Sequence, residues 1–83
     1  MLHGRIVTIQ ILLRNRPGAL SAVLNLLADR GGNVLTINQA IPGGGAAAVT
    51  VGLETSGLSG GLEELLSVLR ARSEVIRCEV LAG

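Results

Sequence analysis

The residues best placed for chemistry form a short turn, Arg14-Asn15-Arg16-Pro17-Gly18, between a strand-like and a helix-like stretch. Pro17 has a fixed φ and no N–H, so it suits a turn or the first turn of a helix. Gly18 lets the backbone approach a neighbour or a ligand closely. A helix that begins here presents unpaired N–H groups and the positive end of its dipole, which attract carboxylates and other anions. The turn therefore predicts an anion-binding helix start.

The other reactive side chains lack the partners that catalysis or metal binding requires. His3 and Cys78 are the only residues of their types, so we expect a solvated terminal residue and a buried small apolar residue. Glu63 and Glu64 are adjacent on an expected helix and point about 100° apart, so they would not converge on one substrate. The glycines after Pro42 lack the lysine and hydroxyl residue of a P-loop. We expect no catalytic residue, no metal and no cofactor.

The composition argues against several classes of partner. The net charge of +1 is spread over 83 residues without a basic stripe, and aromatic residues are absent, so we expect no nucleic acid. There is no signal-peptide pattern and no apolar run of about 18 residues, so we expect no membrane span. A single cysteine fits a reducing compartment, which predicts a cytoplasmic protein. A chain this short gains stability by association, so we expect an oligomer.

The elements that must position the turn follow from hydrophobic periodicity. Alternation predicts strands over residues 5–14, 33–41, 46–55 and 74–81. In the second strand we expect Leu35, Ile37 and Ile41 to face the core and Thr36 and Asn38 to face the opposite side. The three glycines that follow Pro42 predict a hairpin connection to the third strand. Both faces of the first strand carry apolar residues, which is typical of a central strand.

Two amphipathic helices are predicted between these strands. The first covers residues 19–30 and ends at Gly31 and Gly32, one of which can adopt the left-handed conformation that closes a helix. The second begins near residue 62, and Arg70 and Arg72 are expected at its end, where the dipole favours cations. The core-facing positions of both helices recur at helical spacing and comprise Leu20, Val23, Leu24, Leu27, Leu62, Leu65, Leu66 and Leu69.

The order β-α-β-β-α-β predicts an α+β, ferredoxin-like fold, formed by residues 1–83 as a single domain. In this topology a four-stranded antiparallel sheet carries both helices on one face, and the strands lie in the order four, one, three, two. The second strand is then an edge with an unpaired backbone. This edge and the bare sheet face offer two routes to a homodimer or a higher oligomer.

Residues 13–20 (LRNRPGAL) followed by residues 27–37 (LADRGGNVLTI) resemble the ACT domain, a small-molecule-sensing module of amino-acid metabolism. The resemblance covers nearly the whole chain. Its most specific part is the combination of the RPG turn, the helix, the GGN break and the polar strand. Residues 33–42 (NVLTINQAIP) look most like small stand-alone ACT-domain proteins of the chorismate mutase-like, PheB type.

The resemblance implies allosteric regulation by an amino-acid effector that binds at a subunit interface, between the loop before the first helix and the second strand of a partner. The carboxylate would suit the N–H groups near Gly18, and asparagine side chains would accept from the ammonium. Family members have an acidic residue in this loop where the present chain has Asn15. The ligand-binding residues implied by the resemblance are Asn15, Arg16, Pro17, Gly18, Ala19 and Leu20 in the loop and helix start, and Asn33, Val34, Leu35 and Thr36 in the strand.

Two other functions remain open from the residues. The edge strand alone would suffice for a purely structural oligomerisation domain. An enzyme is less well supported: Arg14, Arg16 and Asn38 resemble the groups of acylphosphatase only superficially, because NRPGALSAV does not match its glycine-rich loop. A chorismate mutase needs several cations that converge on two carboxylates, and this chain offers little beyond Arg14 and Arg16 for that purpose. We expect the chain not to be an enzyme.

Overall fold

The computed structural model describes residues 5–82, and the predicted order of six elements is confirmed. His3 lies outside the described residues. Each boundary agrees with the prediction to within about two residues, which is the usual uncertainty at element ends. The elements are β1 (Ile6–Arg14), α1 (Ala19–Asp29), β2 (Asn33–Gly43), β3 (Ala46–Glu54), α2 (Gly61–Arg70) and β4 (Val75–Ala82).

The four strands form one sheet in the order β2-β3-β1-β4, and every neighbouring pair is antiparallel. The predicted ferredoxin-like α+β fold is therefore confirmed. β2 and β3 form a hairpin that turns at Gly44 and Gly45, as the glycine run predicted. β1 and β3 occupy the centre of the sheet, so β2 and β4 are its two edges.

The core lies between one face of the sheet and the two helices. Alternate residues of β1 and β3 are buried along the whole length of each strand, because their side chains point to one face. Within the described residues, no helix is long and apolar enough to cross a membrane. The largest fully buried side chains are Ile9, Ile11, Leu13, Val23, Leu27, Val49, Val51, Leu53, Leu65 and Leu69.

Helix α1 ends in a Schellman motif, and this end is packed against the loop that precedes α2. The N–H of Gly31 donates to Ala28 O at 3.0 Å, and the N–H of Gly32 donates to Leu27 O at 2.9 Å. Gly31 has a φ of +85°, which confirms the predicted left-handed closure. A side chain at Gly31 would overlap the carbonyl oxygen of Gly57. Glycine is therefore required here both for its conformation and for the close backbone approach.

The predicted burial of β2 is wrong. Leu35, Ile37 and Ile41 were expected to face the core, but 47%, 42% and 61% of their surfaces are exposed. A bulge between Val34 and Thr36 shifts the register, and Val34 becomes the β2 residue that packs partly against the core. Ile37 still lies on the helix side of the sheet, because it pairs with a buried valine of β3, but the helices leave this edge uncovered. The edge is thus more apolar than predicted.

The end of α2 also differs from the prediction. Arg70 is in the last turn, as expected, but Arg72 lies beyond the helix. Arg72 instead bonds Glu74 with two nitrogens, at 3.1 and 2.9 Å, in the turn before β4. A carboxylate two residues away offers this guanidinium a paired, planar contact that the helix end does not. Arg72 therefore organises the turn rather than the helix.

Exchange of Gly31 for alanine tests the close approach of the α1 end to the loop. Gly31→Ala and Gly18→Ala both place a side chain at a φ near +84°, since the two glycines have φ of +85° and +83°. Of the two, only Gly31 has a backbone neighbour in the way, whereas no described residue other than its chain neighbours lies within 4 Å of a Cβ at Gly18. Both variants are expected to lose about 1–2 kcal/mol for the conformation, and Gly31→Ala a further 1–3 kcal/mol or so for the overlap. Urea unfolding measures both losses, and equal losses would contradict the packing described here.

Candidate functional site

The loop between β1 and α1 is held in place from both sides. The N–H of Arg14 donates to Glu74 O at 2.9 Å, and its guanidinium Nε donates to Ser73 O at 3.0 Å. On the other side, the N–H of Asn15 donates to Gly45 O at 2.8 Å, in the β2–β3 hairpin. The loop is therefore fixed between the turn before β4 and the hairpin. The Arg14 guanidinium therefore has a structural role in this loop. Both enzyme alternatives would need the same group for catalysis.

The start of α1 presents backbone N–H donors, as the sequence predicted. These donors are not all at the expected residues. Gly18 has a φ of +83° and no side chain to cap α1. The N–H of Ala19 is not free, because it donates to Arg16 O at 3.2 Å. Within residues 5–82, no backbone carbonyl or side chain accepts from the N–H groups of Leu20 and Ser21. Ser21 was missed because the resemblance ends one residue earlier.

Positive charge near the loop is balanced by a nearly buried carboxylate. Glu74 is only 9% exposed, and the paired hydrogen bonds from Arg72 hold the pKa of its carboxyl below the usual value. A hydrogen bond from a backbone N–H and the charge of Arg16 lower this pKa further. Sequence reasoning missed Glu74, since two residues spaced i and i+2 in a turn give no periodic signal. The carboxylate places Arg16 in a local network of charges.

The two halves of the predicted site lie at opposite ends of the sheet within one chain. Arg14, which precedes the loop, pairs with Ala46 at the start of β3, whereas Asn33 pairs with Glu54 at its end. These two β3 residues are eight steps apart, or about 26 Å at the rise of a strand. The structure therefore does not bring the loop and residues 33–36 together in one copy of the chain.

Residues 33–36 are nevertheless available to another molecule. Asn33, Leu35 and Thr36 are exposed, and Val34 is half buried. Thr36 faces the side of the sheet without helices, and its hydroxyl covers Gly52 of β3 so closely that a Cβ there would overlap it. This part of β2 presents both polar and apolar groups along the edge of the sheet.

A second feature lies on the open face of the sheet. A shallow depression of about 190 Å³ has a mixed polar and apolar lining. Its volume is below that of typical small-molecule sites, which is about 300–1,000 Å³. No cluster of three potential metal ligands occurs in the part of the chain that the structure describes. The depression is lined by Gln10, Leu12, Ala48, Arg77 and Glu79.

Cys78 has the environment predicted for a buried apolar residue. It is 3% exposed and forms no disulfide. Burial raises the pKa of its thiol, and the charge of Arg70 opposes this only in part. The thiol is therefore poorly suited to act as a nucleophile.

A comparison with models of known protein families tests the resemblance found in the sequence. The model of the ACT domain matches residues 7–72. The chain belongs to the ACT domain family. ACT domains are generally regulatory modules that bind small ligands, and they commonly dimerise. The predicted resemblance is thus confirmed at the level of the family.

Relatives of this ACT domain include two UPF0735 ACT domain-containing proteins. The one from Caldicellulosiruptor saccharolyticus is 40% identical over 79 residues, which cover 95% of this chain and 53% of that protein. The one from Carboxydothermus hydrogenoformans is 45% identical over 78 residues, covering 94% and 53% respectively. The chain thus spans about half the length of these curated relatives.

Among solved structures, the ACT domain from the GTP pyrophosphokinase of Chlorobium tepidum has the same fold. Its TM-score to this chain is 0.77 at 18% identity, and the match covers 95% of this chain and 100% of that one. At this identity the likeness establishes the fold alone.

The acid dependence of stability tests the role of Glu74 in this ACT domain. Because the folded-state pKa of Glu74 is lowered, its stabilising contribution is present above the ordinary glutamate pKa and is lost as pH falls through the folded value. We expect the free energy of unfolding to fall less steeply below about pH 5 in Glu74→Gln than in the wild type. Denaturant unfolding at a series of pH values measures this.

Glu63→Gln is the matched control, since Glu63 is an exposed carboxylate on α2 that has no arginine partner within residues 5–82. If the free energy of unfolding fell as steeply below about pH 5 in Glu74→Gln as in Glu63→Gln, Glu74 would not belong to a charge network at the loop.

Proposed function

We propose that this chain is a non-catalytic regulatory ACT module that binds an amino acid at the interface of a homodimer. In this proposal residues 1–83 act as one ACT-like domain, and the ligand lies between the β1–α1 loop of one copy and β2 of the other. The loop contributes Asn15, Arg16, Pro17, Gly18, Ala19 and Leu20, and the partner strand contributes Asn33, Val34, Leu35 and Thr36.

The observation that carries this proposal is the separation of the two half-sites within one chain. β1 and β2 are both antiparallel to β3, so they run in the same direction, and the loop lies at the end where β2 finishes. An antiparallel pairing of two β2 strands about their middle places the start of one β2 beside the end of the other. Asn33 to Thr36 of the second copy then lie at the same end of the sheet as the loop of the first.

The chemistry of the helix start favours a carboxylate ligand. The unpaired N–H groups of Leu20 and Ser21 are donors at the positive end of the α1 dipole. Among residues 5–82, apart from the two chain neighbours of Gly18, nothing lies within 4 Å of the position that a Cβ would take there, so the side of the loop at Gly18 is open. The side-chain oxygens of Asn15 and of the partner's β2 provide acceptors for an ammonium group. An α-amino acid carries both groups.

The exposed apolar residues of β2 support assembly whether or not a ligand binds. Leu35, Ile37 and Ile41 lie together on a strand with a free edge, and a second copy would cover them. A purely structural oligomerisation domain is therefore the second candidate. Catalysis is less well supported, because the Arg14 guanidinium already bonds Ser73 O. The cytoplasmic location expected from the single cysteine remains part of the proposal.

A charge placed at Gly18 tests ligand binding. Aspartate and asparagine both tolerate a positive φ, and they have nearly the same shape. Gly18→Asp is expected to weaken binding of the amino-acid ligand at least about tenfold, because its negative charge repels the carboxylate of the ligand and occupies the positive end of the helix dipole. Gly18→Asn is expected to retain most of the affinity. Titration calorimetry against each of the twenty amino acids identifies the ligand with the wild type and then compares the variants.

If none of the twenty amino acids gives heat or raises the melting temperature of the wild-type chain, the sensing part of the proposal is wrong. The oligomerisation domain would then remain as the function.

A charge on the β2 edge tests the dimer. Ile37→Arg is expected to convert the dimer to a monomer, because antiparallel pairing about the middle of β2 brings two such charges close together in a desolvated contact. Ligand binding should be lost as well, although Gly18 and its surroundings are unchanged. Ile6→Arg is the control, because Ile6 is 59% exposed but belongs to a central strand. Sedimentation equilibrium measures the mass, and equal masses for the two variants would show that β2 is not the interface.

A further inference from the structure

The backbone N–H and C=O of Cys78 point outward from the free edge of β4. The N–H of Arg14 points toward β4 and that of Asn15 toward β3, as their hydrogen bonds show. Backbone groups alternate in direction along a strand, so those of Ile11 point toward β3. Ile11 pairs with Cys78 across the β1–β4 ladder, and this pair is therefore one without mutual hydrogen bonds. The N–H and C=O of Cys78 consequently point away from the sheet, where an added strand would bond them.

Arg70 occupies the outward carbonyl of Cys78. The guanidinium Nε and Nη2 donate to Cys78 O at 3.1 and 2.8 Å, respectively. Arg70 is the last residue of α2, so the helix end and the edge strand are joined by this contact. A strand that paired with β4 at this point would have to displace the guanidinium. The contact therefore blocks the middle of the β4 edge.

The sequence of β4 is complementary to itself about Cys78. In an antiparallel pair of β4 strands with Cys78 opposite Cys78, Arg77 of each copy lies opposite Glu79 of the other. Both side chains are exposed on the open face of the sheet. Beyond this pair Val80 is 39% exposed in the single chain, whereas Ile76 is the extra residue of a bulge in the β1–β4 ladder. Opposite charges are therefore matched in this register.

The two edge strands differ in whether a side chain bonds their backbone carbonyls. Within residues 5–82, no side chain donates a hydrogen bond to a backbone carbonyl of β2, whereas Arg70 makes two such bonds to β4. We propose that β4 is a second self-association surface, complementary to another copy of β4, and that Arg70 keeps it closed. This surface is distinct from the β2 interface of the proposed function, and it concerns how far the assembly extends.

Removal of the guanidinium tests this proposal on the full chain. Arg70→Met retains much of the aliphatic stem and a high helix propensity but has no donors. Under reducing conditions its weight-average mass is expected to be at least about twice that of the wild type at equal concentration, because a two-fold pairing joins two units. The control is Arg30→Met, which removes an arginine from the end of the other helix, where it pairs with Glu64 and not with a strand. Its mass should equal that of the wild type.

Charge reversal then tests the register. In the Arg70→Met background, Arg77→Glu places acidic residues opposite each other and is expected to return the mass to the wild-type value. Adding Glu79→Arg to this variant restores opposite charges and is expected to restore the larger mass. Far-UV circular dichroism verifies that each variant is folded. If Arg70→Met is unfolded, Arg70→Ala is used instead, because alanine has a high helix propensity and no side-chain donor.

An unchanged mass for folded Arg70→Met, or for Arg70→Ala where that variant replaces it, would overturn the proposal. The proposal would also be overturned if the mass of Arg70→Met rose but did not respond to the charge reversals at Arg77 and Glu79. The association would then not use the β4 register. These outcomes are independent of ligand binding and of β2. A wild-type monomer would give dimers on release of β4, and a wild-type dimer would give tetramers or larger assemblies.

Discussion

Unpaired backbone groups at the two edges of the sheet are the constraint on which the rest of the structure depends. Each of the central strands, β1 and β3, bonds a neighbour on both sides, so their backbone groups are satisfied within the chain. β2 and β4 each have one free side, and both carry exposed apolar side chains along it. An edge of this kind is a template for another strand. What the molecule does with each edge therefore bears on both its assembly and its site.

The loop before α1 depends on the same sheet, because its anchors come from the ends of β3 and β4. Arg14 and Asn15 reach in opposite directions, toward the turn before β4 and toward the hairpin, and so fix the path of the chain into Gly18. The left-handed Gly18 then starts the helix without a capping side chain. Free donors remain at the helix start as a result. A ligand that carries a carboxylate would satisfy them at little cost in reorganisation.

The fold could be predicted nearly completely from the sequence, because it is governed by local periodicity and by glycines with special conformations. The stripe that includes Val23 and Leu27 defined one helix, and Gly31 marked its end. The burial of β2 could not be predicted in this way. Alternation identifies the two faces of a strand, but it does not reveal how far the helices extend over the sheet. Leu35 and Ile37 look like core residues in sequence, but the bulge at residues 34–36 exposes Leu35 and the edge position of β2 exposes Ile37.

The candidate site was predictable in part, for a related physical reason. The donor-rich helix start follows from the turn chemistry of Pro17 and Gly18 and was found in the structure at nearly the expected position. The role of Glu74 depends on contacts between residues 14–16 and 72–74, which no short-range pattern encodes. The proposed completion of the site by a second copy rests on sheet topology and on the family resemblance. The spacing of individual residue types reveals neither the order of the strands nor the family.

The two edges also limit one another. Two-fold pairing at one edge closes after two copies, but two-fold pairing at both edges of the same sheet continues without end, because each added copy presents another free edge. A chain that assembles through β2 into a defined dimer must therefore prevent β4 from pairing in the same way. The charges of Arg77 and Glu79 do not prevent it, because they are complementary between two copies of β4. The contact of Arg70 with Cys78 O does, since it occupies the acceptor at the centre of that pairing. In the proposed assembly, the last residue of α2 is thus where helix and sheet geometry together restrict pairing to the β2 edge.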